Sequence, residues 1–203
     1  MFKSLKGAFT LVELLVSIAI FALMTALVVA KYGNFNQSVL LTNLAYEVAL
    51  TIRTAQTYGL SVKNSDPDKL DQSNAYKNPY GVHLDTSNGN NQTITFFSDV
   101  SPVGGNGVYT SGSDGVINTF AVKRGAIISG ICFGTVGCSA NTNYASSGSV
   151  DITFKRPDPN ALMCSGGNVN NCTSKYVEIS VKAIDGNTRV ITVRENGQIS
   201  VQN

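Results

Sequence analysis

The sequence predicts an α+β fold: a long N-terminal helix, with a membrane-spanning first half, packed on an antiparallel β-sheet head. Three patterns carry this expectation. Residues 8–30, AFTLVELLVSIAIFALMTALVVA, form one apolar run interrupted only by Thr10, Glu13, Ser17 and Thr25. From Leu41 onward, Leu41, Leu44, Ala45, Val48, Ile52 and Ala55 follow helical three-and-four spacing, leaving Glu47, Thr51 and Thr54 on another face. Beyond Tyr80, short β-branched or aromatic runs are separated by Gly, Asn and Ser.

At about 1.5 Å per helical residue, the run over 8–30 covers roughly 34 Å, enough to cross a hydrocarbon core of about 30 Å. A carboxylate at that depth costs about 2.5 to 3.5 kcal/mol, so Glu13 is a functional candidate unless it lies near the interface of a plain signal anchor. The leader MFKSLKGA carries Lys3 and Lys6, and the positive-inside tendency keeps it in the cytoplasm with the rest of the chain outside. A cleaved secretory signal has a shorter apolar core followed by a small-residue cleavage site, whereas this run passes straight into more helix.

The segment KGAFTLVELLVSIAIFALM closely resembles the processing site and N-terminal helix of type IV pilins and pseudopilins. The resemblance implies a prepilin peptidase that cuts on the cytoplasmic side, directly before a Phe that becomes N-methylated, with a Glu four residues further on. Phe9 and Glu13 match that spacing. The family most often ends its leader in Gly, whereas here Ala8 stands between Gly7 and Phe9. Cutting after Ala8 keeps the Phe and Glu spacing, and cutting after Gly7 leaves an extra Ala at the new terminus. The implied partners are the peptidase, other pilin or pseudopilin subunits, an inner-membrane assembly platform and the bilayer; no cofactor or metal is implied. A new ammonium and a carboxylate held in apolar surroundings gain more from pairing than in water. An ammonium of one subunit meeting Glu13 of another therefore favours staggered insertion into a filament.

On this reading residues 1–8 are the leader, 9–30 the transmembrane and assembly half of the helix, 31–62 its amphipathic half and 63–203 a globular β-rich head. An unbroken helix from residue 8 to about 62 would be roughly 80 Å long. Gly33, Asn34 and Asn36 are poor helix formers that could loosen it. Residues 63–79 hold two Pro and a polar cluster and read as an exposed connection. Asp66, Asp68 and Asp71 lie there, but their spacing misses the calcium-loop pattern and favours a solvated loop.

Strands are expected over 80–84, 93–98, 117–122, 127–133 and 151–155. At the C-terminus Val177, Ile179, Val181 and Ala183 alternate with polar residues. Asp185-Gly186 and Asn196-Gly197 then signal two hairpins, giving a three-strand meander. YGVHLD, TITFFSD, RVITVRENGQISV and AQTYGLSVK resemble patterns of the GspH/FimT branch of pseudopilins, and the apolar stretch lacks the Pro of many major pilins. Both features point toward a minor component.

Cys132 and Cys138 bracket one Gly-rich loop and Cys164 and Cys172 an Asn- and Gly-rich one. Outside the cytoplasm oxidation is expected, and proximity suggests the bridges Cys132 to Cys138 and Cys164 to Cys172, although four cysteines allow three pairings and free buried thiols remain an alternative. Neither pair offers a zinc knuckle. The single histidine, His83, sits in an expected strand without a nucleophile motif or a second His, which argues against an enzyme. The 15 Lys and Arg, less the two leader lysines, leave 13 against 13 Asp and Glu. That balance gives no electrostatic case for nucleic-acid binding; Lys123-Arg124 and Lys155-Arg156 are the only adjacent basic pairs outside the leader. The sequence reads as a minor pilin or pseudopilin of a type IV pilus or type II secretion pseudopilus, first in the inner membrane with its head outside and then in a filament. A major pilin of the shaft and an uncleaved signal-anchored binding module or adhesin are the alternatives.

Overall fold

A computed structural model describes residues 9–64, 76–87, 92–122, 125–134 and 148–202. One helix, α1 (Leu11–Leu60), spans 50 residues, roughly 75 Å at 1.5 Å per residue. It starts later and ends earlier than the sequence suggested because both ends are capped. Thr10 is extended and its hydroxyl accepts from the Glu13 N–H at 3.2 Å. Ser61 is extended and its N–H donates to the Thr57 carbonyl at 3.0 Å. The backbone stays helical through Gly33, Asn34 and Asn36.

The head holds two antiparallel sheets where the sequence suggested one. The first runs β3 (Gly115–Ala121), β2 (Thr93–Ser98), β1 (Tyr80–Asp85), β5 (Ser149–Lys155) and β6 (Asp158–Ser165) in spatial order. The second runs β4 (Ile127–Gly134), β7 (Tyr176–Lys182), β8 (Thr188–Arg194) and β9 (Ile199–Gln202). Its last three strands are the expected meander, joined by turns in which Gly186 and Gly197 take φ of 89° and 79°. Strand β6 escaped the sequence reading because Pro157, Pro159 and Asn160 look like a turn; as an edge strand it tolerates a proline that donates no ladder bond.

The helical spacing from Leu41 maps directly onto burial. Leu41, Leu44, Ala45, Val48, Ile52 and Ala55 are all buried, whereas Glu47 is exposed and Thr51 and Thr54 are half-buried. These helix residues share one apolar cluster with Val82, Ile94, Ile152 and Phe154 of the first sheet and with Ile128, Ile179, Ile191 and Val193 of the second. The helix therefore supplies the core between the sheets. At its far end Gly59 lies so close to the Phe154 backbone that a methyl group there would clash with the Phe154 carbonyl. Beside it Tyr58, Tyr80 and Phe96 stack with ring centroids 5.3 to 6.3 Å apart, and burial pushes the Tyr80 hydroxyl up to about 12.

One buried polar side chain pins the helix to the second sheet. Gln56 donates through Nε2 to the Gly197 carbonyl at 3.0 Å and accepts from Arg53 at 2.6 Å. Gly197 has little freedom there, since a Cβ would meet Gln56 Nε2 at 2.5 Å and the Pro159 carbonyl at 2.6 Å.

Because the clash at residue 59 is with backbone and not a movable side chain, Gly59→Ala is expected to destabilise the head by about 2 kcal/mol. Thermal melting of the detergent-solubilised chain checks this, and an unchanged melting temperature would show that α1 can back away from β5 at little cost.

Candidate functional site

The N-terminal end of α1 is built by its own first turn. Thr10 accepts from Glu13, Glu13 stands where the positive end of the helix dipole favours a carboxylate, and Leu14 donates to the Thr10 carbonyl at 3.2 Å. Phe9 precedes the helix with its side chain 76% exposed. Gly7 and Ala8, the other two residues of the expected cleavage site, lie outside the described residues. A terminus at Phe9 would thus stand one residue before the cap and about one helical turn from Glu13.

From Leu11 to Lys31 the helix is long and apolar enough to span a membrane, and none of it is buried in the fold. Its large side chains, among them Leu11, Leu15, Phe21, Leu23, Leu27 and Val29, are more than half exposed. The hydroxyls along the run bond within the helix: Ser17 donates to the Glu13 carbonyl and Thr25 to the Phe21 carbonyl, both at 2.7 Å. A helix apolar on every side that meets no part of its own head needs lipid or other protein around it. Glu13 is the only charged side chain between Leu11 and Val29.

The cysteines divide across the head. Cys164 on β6 is bonded to Cys172 beyond the short 3-10 turn Val169–Asn171. Cys132 is also disulfide-bonded, and Cys138 lies outside the described residues. Asp66, Asp68, Asp71 and the Lys123-Arg124 pair also lie outside them. Lys155 donates to the Gly104 carbonyl at 2.8 Å and Arg156 to the Ser61 carbonyl at 3.2 Å, so this basic pair braces loops of its own fold.

Sequence reasoning missed a layer of buried carboxylates on the face of the first sheet opposite α1. His83 Nδ1 lies 2.7 Å from Asp151 Oδ1 across the β1–β5 pair. Tyr109, from the segment linking β2 to β3, stacks on His83 at 4.9 Å and on Phe97 at 5.1 Å, and its N–H donates to Asp151 at 3.2 Å. Asp99 accepts from the Gly107 N–H at 2.7 Å. Asp114 accepts from the N–H groups of Val100, Ser101 and Thr110 at 2.7 to 3.0 Å. These carboxylates fold residues 99–114 down onto the sheet. Their signal in the sequence was weak, since Asp among Ser, Gly and Asn reads equally well as a solvated turn. Among the described residues no group of three or more His, Cys, Asp or Glu could hold a metal ion.

Residues 3–29 match the family model described as the prokaryotic N-terminal methylation motif. No curated protein and no solved structure matches the chain. The motif match supports a type IV pilin-like subunit, processed at its N-terminus, anchored by the apolar helix and assembled with other pilins. Such subunits are structural and not catalytic.

Burial pushes the Asp99 carboxyl up to about 6, beyond what its bond from Gly107 offsets. The folded head then binds a proton more readily than the unfolded chain, so the stability this group contributes is full below about pH 4 and lost as pH rises through about 6. Denaturant unfolding of the wild type and Asp99→Asn at pH 4, 5, 6 and 7 is expected to show a smaller fall with rising pH in the variant. Parallel pH profiles would remove Asp99 as the titrating group.

Proposed function

We propose that this chain is a minor pilin or pseudopilin, inserted by its apolar helix, cut by a prepilin peptidase after Ala8, methylated at Phe9 and polymerised through α1. Residues 1–8 are the leader, 9–30 the assembly half, 31–62 the amphipathic half and 63–203 the head. The observation that carries this reading is the exposed apolar run Leu11–Lys31, which begins at a capped turn holding Glu13 and continues without interruption into a helix that anchors the head. A plain membrane anchor has no need of a carboxylate at that position. In the filament the ammonium of one subunit neutralises Glu13 of the next, which lets both enter apolar surroundings. The filament is a type IV pilus or a type II secretion pseudopilus.

The first test is intact mass and N-terminal sequence of membrane-extracted protein made with and without active prepilin peptidase. A methylated Phe9 start that depends on the peptidase is expected. A persistent Met1 would sink the reading and leave a signal-anchored binding module.

Removing one partner of a buried ion pair costs about 3 kcal/mol, roughly a hundred-fold in an equilibrium constant. Glu13→Ala is therefore expected to reduce filament incorporation on the order of a hundred-fold, while membrane insertion and head melting stay unchanged. Quantitative immunoblotting of sheared filaments against membranes measures the ratio, and normal incorporation would eliminate the proposed role of Glu13.

A further inference from the structure

Among the described residues the head contains two Asn-Gly pairs, Asn106-Gly107 and Asn196-Gly197. In such a pair the side-chain amide is open to attack by the following backbone nitrogen, because glycine has no Cβ to block the approach. At both pairs an Asx turn folds the side chain over that nitrogen: Asn106 Oδ1 accepts from the Val108 N–H at 2.9 Å and Asn196 Oδ1 from the Gln198 N–H at 3.1 Å. The pairs differ in what the glycine N–H meets. Gly197 donates to the Arg194 carbonyl at 2.9 Å, a neutral oxygen, whereas Gly107 donates to Oδ2 of the fully buried Asp99 carboxylate at 2.7 Å. Burial, with Asp114 and Asp151 nearby, pushes the Asp99 carboxyl up to about 6, which makes it a stronger base than an ordinary carboxylate. Asn106 and Gly107 also line a cleft of about 500 Å³ between their loop and β6, which admits water and lets a small product leave.

We propose that Asn106 is a self-modification site, converted in the folded head to aspartate or isoaspartate with Asp99 as the base. Asp99 Oδ2 takes the Gly107 amide proton as that nitrogen attacks Asn106 Cγ. The Cγ–Oδ1 π pair moves onto Oδ1, where the Val108 N–H stabilises the developing charge. The carbonyl re-forms as the Cγ–Nδ2 bond breaks, and the proton returns from Asp99 to the departing nitrogen, which leaves as ammonia. A five-membered succinimide remains. One water from the cleft opens it: attack at Cγ gives aspartate, and attack at the Asn106 main-chain carbonyl gives isoaspartate. The balance is one water in and one ammonia out, with no oxidation or reduction. The product adds a carboxylate to a cleft that Lys155 and Arg156 also line, and in the isoaspartate form it lengthens the loop backbone by one carbon. The head thereby carries an irreversible mark of its age since folding, whether or not the chain enters a filament.

The test incubates the full-length, detergent-solubilised chain at neutral pH, both folded and in denaturing urea, and follows the amide-to-acid mass change at each Asn-Gly pair by peptide mapping. In the folded chain Asn106 is expected to convert about a hundred-fold faster than Asn196, the lower range of what a positioned base contributes. In urea, where neither glycine keeps its partner, the two are expected to convert alike. Equal rates in the folded chain, or the same excess at Asn106 in urea, overturn the proposal without any variant. Asp99→Asn keeps an oxygen for the Gly107 N–H but no base, and is expected to bring Asn106 down to the rate of Asn196. An unchanged Asn106 rate in that variant, with its head shown by melting to be folded, also overturns it.

Discussion

The fold depends on one apolar stripe, the buried face of α1 between Leu41 and Gly59. Neither sheet has a complete core without it, because Val48, Ile52 and Ala55 belong to the same cluster as Ile152 and Phe154 on one side and Ile179 and Ile191 on the other. Direct links between the sheets are local; Ala161 of β6 donates to the Glu195 carbonyl in the turn between β8 and β9 at 2.7 Å. The small residues of the stripe follow from this position. Ala45, Ala55 and Gly59 allow two sheets to approach one helix, and the approach at Phe154 is closer than any side chain would permit. Gln56 is the polar exception, and it is satisfied on both sides by Arg53 and Gly197.

How much of this was legible in the sequence depended on whether the signal was local. Helical spacing from Leu41 to Ala55 reports a face, and that face is buried residue for residue. Alternation along Val177, Ile179 and Val181, with Asp185-Gly186 and Asn196-Gly197 after it, reports strands and hairpins, and the meander lies where those residues stand. Strand β6 was hidden because its pairing with β5, not its own pattern, makes it a strand; Pro159 and Asn160 would otherwise mark a loop. The division into two sheets was hidden for a similar reason, since β4 joins β7 across more than forty residues of intervening chain and no local signal encodes that choice. At the candidate site the motif was legible because motif spacing is itself local, and the family model matches residues 3–29. The roles of Asp99, Asp114 and Asp151 were not, because they depend on which backbone N–H groups the fold brings to each carboxylate.

The buried carboxylates show what the loop over the first sheet gains and what it costs. Three N–H groups on Asp114 replace the bonds that residues 99–114 would otherwise make to water, which lets a Gly- and Ser-rich segment lie flat on a sheet without regular structure of its own. Asp99 is less well served, with the Gly107 N–H on Oδ2 and no hydrogen bond in the structure to Oδ1. The result is a carboxyl that favours its proton well above the usual range. Order in this loop is thus supplied by carboxylate placement together with the burial of Val108 and the stacking of Tyr109 on Phe97 and His83.

The same helix meets three surroundings along its length, and its side chains change accordingly. Residues Leu11–Lys31 are apolar on every side apart from Glu13 and the terminal Lys31, and Ser17 and Thr25 back-bond their hydroxyls into the helix. Residues 41–59 are apolar on one side for the sheets. Tyr46 and Leu50 add a second apolar side where an ordinary surface helix would carry charge. Large apolar side chains left exposed on neighbouring turns are costly unless covered. An unbroken helix of 50 residues therefore holds its exposed apolar end and its buried end in one fixed relation over roughly 75 Å.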